Sequence, residues 1–349
     1  MFEDKNGGLT PIHHFGEFKL IEHLTQQFSA KNERVLRAVG DDAAVYEIGN
    51  GKAHVVTTDM LVEGVHFDLS YVPLKHLGYK SVVVNLSDVY AMNAQPFGVT
   101  VSVAMSNRFT VEAMDAFYEG VKAACEKYGV DLLGGDTSSS RSGLMISVTA
   151  LGEAHQEEIV YRNGARVNDL ICLSGDVGAA YAGLQVLERE KSVFLKNPGV
   201  QPELEAYNYV VGRQLKPEAR RDLINAFREA KVRPTAMIDV SDGVASEVMH
   251  ICRQSGLGAQ IYQDKIILDH ETVKVAEEFN LPSLTMGLNG GEDYELLFTI
   301  KMDDFDMIQS FRDVKVIGHM VDKAQGVGIV MADGSVAQLE AQGWQHFNG

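Results

Sequence analysis

Five short motifs place aspartate beside glycine, serine or threonine at breaks in apolar segments. They are Gly40-Asp41-Asp42-Ala43, Thr57-Thr58-Asp59, Asn85-Leu86-Ser87-Asp88, Gly134-Gly135-Asp136-Thr137 and Asp239-Val240-Ser241-Asp242-Gly243. A carboxylate in such a setting is costly to bury without donors or a cation. Two of them ~4 Å apart repel by about 4 kcal/mol at an intermediate effective dielectric. A divalent cation removes that cost, and magnesium favours a few carboxylates completed by water and substrate phosphates. Together these residues could hold phosphate through metal ions. Singly, each motif also reads as an ordinary turn, and Ser241 or Asp242 could cap a helix over 244–254.

The elements around them sharpen one case. Over 75–92 the pattern predicts a helix on which Ser81, Asn85 and Asp88 form one stripe, at i, i+4 and i+7. Val82, Val83, Val84, Leu86 and Val89 cover the rest of that surface. A helix with one narrow polar stripe is a buried helix that aims the stripe at something polar. A second helix is expected over 111–128, stopped by Gly129. Strands are expected at 53–58, 98–105, 144–151, 169–173, 236–240, 295–300, 314–318 and 327–331. The stretch 190–216 reads as an irregular surface excursion. The polar segment 152–168 marks a boundary, giving domains over 1–155 and 156–349. Mixed strands and helices without a strict βαβ rhythm indicate an α+β or α/β class.

Composition narrows the function. The net charge of −17 opposes nucleic acid and anionic membranes as partners. It also opposes ATP unless cations intervene. No apolar run approaches the ~20 residues of a membrane span, and no secretory signal opens the chain. Three widely spaced cysteines in apolar segments suit a reducing cytoplasm. The eleven histidines lack zinc spacing. A Walker-type phosphate loop, a dinucleotide fingerprint, protein-kinase motifs and a nucleophile elbow are all absent. Gly175-Asp176-Val177-Gly178 could seat an anion on a helix N-terminus.

Taken in order, the aspartate motifs resemble the thiamine-monophosphate kinase family, within the superfamily of aminoimidazole ribonucleotide synthetase and selenophosphate synthetase. The resemblance runs from Gly16-Glu17-Phe18-Lys19 through Leu61-Val62-Glu63-Gly64-Val65-His66-Phe67 and Tyr161-Arg162-Asn163-Gly164-Ala165. It continues through Arg213-Gln214-Leu215-Lys216-Pro217 and Gly290-Gly291-Glu292-Asp293-Tyr294-Glu295-Leu296 to Gly343-Trp344-Gln345-His346-Phe347. It implies that Asp42, Asp59, Asp88, Asp136, Asp239 and Asp242 hold several magnesium ions, assisted by Thr57 and Thr58. It implies ATP contacts from Asp42, Tyr118, Gly135, Asp136, Arg162 and Ser241. His66, Glu292 and Trp344 would contact thiamine monophosphate. The implied fold has two domains, the N-terminal sheets pairing in a homodimer and the active site lying between the domains.

The implied reaction is direct transfer of the γ-phosphoryl of ATP to the substrate phosphate, with no covalent or general-base residue required. It demands alignment and charge neutralisation above all. An aromatic face and a carboxylate suit a cationic thiazolium. On pattern alone Tyr118 reads as core, Trp344 as a C-terminal pin and His66 as a satisfied half-buried histidine. Two features depart from the family: Tyr90 and Asn93 replace small residues after Asp88, and the leader before Gly16 has no counterpart. Rival readings are a sister enzyme acting on another phosphorylated metabolite, a metal-dependent phosphatase, and a non-catalytic nucleotide sensor. A selenophosphate synthetase would need a reactive cysteine near the N-terminus, whereas the first here is Cys125.

Overall fold

The computed structural model describes residues 17–341, which form two mixed sheets with helices packed on them. After helix α1 (Glu17–Thr25), the first sheet contains β1 (Val35–Arg37), β2 (Ala44–Gly49), β3 (Lys52–Val62), β4 (Gln95–Met105), β5 (Asp131–Ser139) and β6 (Leu144–His155). Their order is β1-β2-β3-β6-β4-β5, parallel only between β4 and β5. In β3, Ala53, Val55, Thr57 and Leu61 are buried while their neighbours are more open, the period-two signature of a sheet with one covered face. That alternation continues through Asp59 and beyond the expected end of the strand.

Helices α2 (Leu74–Ala91) and α3 (Val111–Tyr128) cover this face. Thr110 caps α3, its side chain accepting the Ala113 N–H at 3.2 Å, and Gly129 ends it in the left-handed conformation expected. The two helices cross with backbones nearly touching. A Cβ on Gly78 would lie 1.9 Å from the Phe117 carbonyl oxygen, and one on Gly120 would lie 1.9 Å from that of Lys75. Fourteen of the eighteen α2 residues are buried, so the helix is enclosed on nearly every side. Tyr90 and Asn93 both turn inward. Tyr90 lies 6.2 Å from the Tyr128 ring, and Asn93 donates to the Glu158 carbonyl at 2.8 Å.

The connection over 156–169 is less polar in space than in sequence. Ile159 and Val160 are fully buried. It leads to β7 (Leu170–Ser174) of the second sheet, which also holds β8 (Ala236–Asp239), β9 (Gly258–Tyr262), β10 (Leu296–Ile300), β11 (Val314–Val321), β12 (Val327–Val330) and β13 (Val336–Gln338). Its order is β13-β12-β9-β11-β7-β10-β8, with β9 and β12 parallel. Helices α4 (Ala179–Lys196), α5 (Asn208–Leu215), α6 (Arg221–Ala230) and α7 (Val244–Ser255) accompany it.

The expectation of a surface excursion over 190–216 is corrected here. Helix α4 extends to Lys196, and α5 buries Val210, Val211, Gln214 and Leu215 against it. The strands over 35–49, the edge strand β5, and β9 escaped sequence reading. Among the described residues no helix is long and apolar enough to cross a membrane.

Candidate active site

Three of the aspartate motifs converge. Asp42 precedes β2, Asp88 lies in the last turn of α2, and Asp239 ends β8. One carboxylate oxygen from each lies within 4.8 Å of the others. Neighbouring side chains hold them. Thr57 Oγ1 donates to Asp88 Oδ2 at 2.6 Å, and Ser87 Oγ donates to Asp239 Oδ2 at 2.7 Å. Arg162 Nη2 pairs with Asp42 Oδ1 at 2.7 Å. Asp42 Oδ2 is buried with no hydrogen-bond partner. Asp59, from β3, stands beside the group, its backbone N–H donating to Asn85 Oδ1 at 3.0 Å. The polar stripe on α2 thus divides its work. Asn85 and Asp88 face the site, whereas Ser81 bonds its own helix at Gly78 O.

Crowding makes full ionisation costly. Burial, then the carboxylates of Asp59, Asp239 and Asp42, push Asp88 well above the ordinary range. Burial and Asp42 raise Asp239 to about 7, and burial raises Asp59 to about 6. An all-oxygen donor set with an orphaned buried oxygen fits a hard divalent cation such as magnesium. Softer metals would call for sulfur or imidazole.

A second layer encloses the group. Arg37 Nε and the Arg162 N–H both donate to Asp41, whose pKa burial and Asp42 lift to about 6. Glu247, unremarked in the sequence reading, is buried on α7 and accepts the Asp242 N–H at 3.0 Å. Burial, then the Asp242 carboxylate, pushes its pKa well above the ordinary range. Its signal was a lone glutamate on the apolar side of α7. Ser241 accepts the Glu292 N–H through its carbonyl at 2.8 Å, tying Glu292 to the segment after Asp239. Glu292 and Tyr294 both have left-handed backbones, with φ of 66° and 53°. Such strain in non-glycine residues concentrates at functional sites.

Other expected residues stand elsewhere. Thr58 points to the opposite face of β3, where its hydroxyl donates to Val148 O and accepts from Thr149. Asp136 is exposed on β5, three strands from β3, or about 14 Å by ordinary strand spacing. Gly135 is a packing requirement there, since a Cβ would lie 1.8 Å from Val101 O. Tyr118 lies half-buried on α3, edge-on to Phe117. The His66 Nδ1 accepts the Val62 N–H at 3.0 Å, so the neutral ring carries its proton on Nε2. Trp344 and the leader before Gly16 lie outside the described residues.

The glycine turn before α4 is not a seat for ligand phosphate. Asp293 fills it, accepting the N–H groups of Gly178 at 2.6 Å and Ala180 at 3.2 Å. Beside it, Arg213 and Arg220 both pair with Glu295, which also accepts from Ser174. This buried ionic network braces the start of β10.

Residues 40–154 match the family model of the AIR synthase related protein, N-terminal domain. The fold and the carboxylate group thus define an AIR synthase-related protein. The thiamine-monophosphate kinase of Bacillus subtilis (strain 168) is 31% identical over 339 residues, covering 95% of this chain and 99% of that one. That of Aquifex aeolicus (strain VF5) is 34% identical over 333 residues, covering 95% and 98%. A solved structure of AaThiL complexed with AMPPCP and TMP matches with a TM-score of 0.82 at 32% identity, covering 98% of this chain and 100% of that one. The chain belongs to the thiamine-monophosphate kinase family.

Proposed function

We propose that this protein transfers the γ-phosphoryl group of ATP to the phosphate of thiamine monophosphate, giving thiamine diphosphate and ADP. The observation that carries this reading is the buried group of Asp42, Asp88 and Asp239, with its unpartnered oxygen. It sits in a chain that aligns along almost its whole length with a relative complexed with AMPPCP and TMP. The P–O bond between the β- and γ-phosphates breaks, and a bond from an acceptor phosphate oxygen forms. That acceptor is nucleophilic near neutral pH, so no strong base is needed.

In this reading Asp42, Asp59, Asp88 and Asp239 would hold magnesium, with Asp242 at the margin. Magnesium bound there would neutralise the facing phosphates and align them. Thr57 and Ser87 each fix one oxygen of Asp88 and Asp239, which orients the two carboxylates. Arg162 fixes Asp42 in the same way and adds a cation beside the nucleotide phosphates. Ser241 lines the approach to them, and Glu292 faces the cationic ring of the acceptor. His66 would offer its Nε2 proton to the acceptor phosphate.

We further infer a homodimer and two domains, over 1–155 and 156–349. Among the described residues strand β5 is paired on one side alone, and its nine residues are all exposed, Leu132 and Leu133 among them. Such an edge calls for a partner. Pairing there would let Gly135, Asp136 and Tyr118 serve nucleotide binding from the sheet edge rather than from within the group. Sedimentation equilibrium at micromolar concentration is expected to give twice the 38.3 kDa chain mass. A monomer would remove the pairing. The three buried free thiols suit a cytoplasmic enzyme.

Product assays test the activity directly. Thiamine diphosphate should form from thiamine monophosphate with MgATP, and neither without ATP nor with excess EDTA. Hydrolysis of thiamine monophosphate without ATP would favour a phosphatase. Nucleotide binding without turnover on any phosphorylated acceptor would favour a sensor.

A further inference from the structure

We infer that Lys80 is a positioning residue of the acceptor site, holding the Glu292 carboxylate, together with Gln214, where it meets the cationic ring of the acceptor. This rests on the reading of Glu292 given above.

Lys80 lies in the enclosed part of α2 and is 5% exposed. A buried ammonium requires partners. Its Nζ lies 2.8 Å from Glu292 Oε1 and donates to Gln214 O at 3.0 Å. The other Glu292 oxygen accepts from Gln214 Nε2 at 2.7 Å. Both oxygens are therefore fixed, one from α2 beneath the first sheet and one from α5 beside the second. Gln214 Oε1 is left buried without a partner, so the amide is spent on this one contact.

Exposure separates the two roles. The Lys80 side chain is 6% exposed and that of Glu292 is 29%. The carboxylate can meet a ligand, whereas the ammonium is screened behind it and acts only through it. Glu292 needs such holding because its left-handed backbone sits in a loop. Its N–H bond to Ser241 O ties it to the segment that carries Asp239. Helix α2 carries Lys80 and Asp88 eight residues apart, about 12 Å along the axis. One rigid helix thus spaces the acceptor end of the site from the end that holds phosphate.

The test is a mutant cycle in steady-state kinetics with thiamine monophosphate and MgATP. Lys80→Met is expected to raise the acceptor KM ten- to a hundredfold, with kcat within threefold and the ATP KM within twofold. Lys80→Arg should recover part of the loss. In a Glu292→Gln background, Lys80→Met should add less than twofold, because it has no carboxylate left to position. Gln214→Ala supplies the same comparison if Lys80→Met does not fold, with a three- to tenfold rise that vanishes in that background. Parallel changes in kcat and both KM values, or a Lys80 effect undiminished by Glu292→Gln, would overturn the inference alone. An inactive wild-type protein would overturn the parent reading along with it.

Discussion

Asp88→Asn is expected to cut turnover with MgATP by about a thousandfold or more while raising the thermal midpoint of the metal-free protein. The two effects share one cause. Asp88 faces the carboxylates of Asp59, Asp239 and Asp42, and burial compounds their repulsion. Asparagine keeps the shape and can still accept from Thr57, which holds the present side chain at 2.6 Å. It removes one charge from a place where charges oppose one another, so the empty fold gains. It also removes a ligand where phosphate and metal must be held, so the reaction loses. A trade of stability against activity is the signature of a functional site. The pair of measurements is single-turnover phosphorylation and calorimetric melting in EDTA. Turnover above a tenth of wild type would take Asp88 out of the site, and an unchanged melting point would mean that its charge is already relieved by a proton.

Magnesium is expected to stabilise the protein far more at pH 8 than at pH 5.5. The sign follows from the direction of the shifts. Asp239 is raised to about 7 and Asp59 to about 6, while Asp88 is raised well above the ordinary value. Carboxylates raised in the fold keep protons that the unfolded chain has already released. Below pH ~4 both states are protonated and the group costs nothing. From there to about pH 7 Asp59 and Asp239 cost the metal-free fold stability as pH rises, on the order of a few kcal/mol. Metal competes with those protons and binds best where they are gone. Saturating magnesium should raise the melting point by about 5 °C at pH 8 and by less than half of that at pH 5.5. Equal gains at both pH values would mean either that the carboxylates are already ionised at pH 5.5 or that the cation binds elsewhere.

What was legible in the sequence depended on whether a signal was local. Helix α3 was readable to the residue because the apolar face and Gly129 both speak within one segment. The α2 stripe was readable for a similar reason, since three polar side chains at helical spacing among valines leave few explanations. Lys80 went unread although it sits beside Ser81. A lysine ordinarily marks a solvated surface, and its partners lie 134 and 212 positions downstream, in α5 and before β10. The stretch 190–216 misled because α5 is short and carries polar residues that point inward. Gln214 donates to Glu292, and Arg213 belongs to the brace around Glu295. The position of Asp136 was not legible either. Its motif, aspartate beside glycine and threonine, is of the same kind as the others, and only the strand order, written in no local pattern, sets it on the edge strand β5.

The carboxylate at the start of α4 has a consequence for how this fold handles phosphate. Asp293 occupies the backbone donors of Gly178 and Ala180 that an incoming anion would use. Being part of the chain, it competes at an effective concentration that free phosphate in solution does not reach. The molecule thus carries a tethered inhibitor of its own most obvious anion hole. An anion is thereby turned away from the start of α4, whereas the group of Asp42, Asp88 and Asp239 could hold a metal ion.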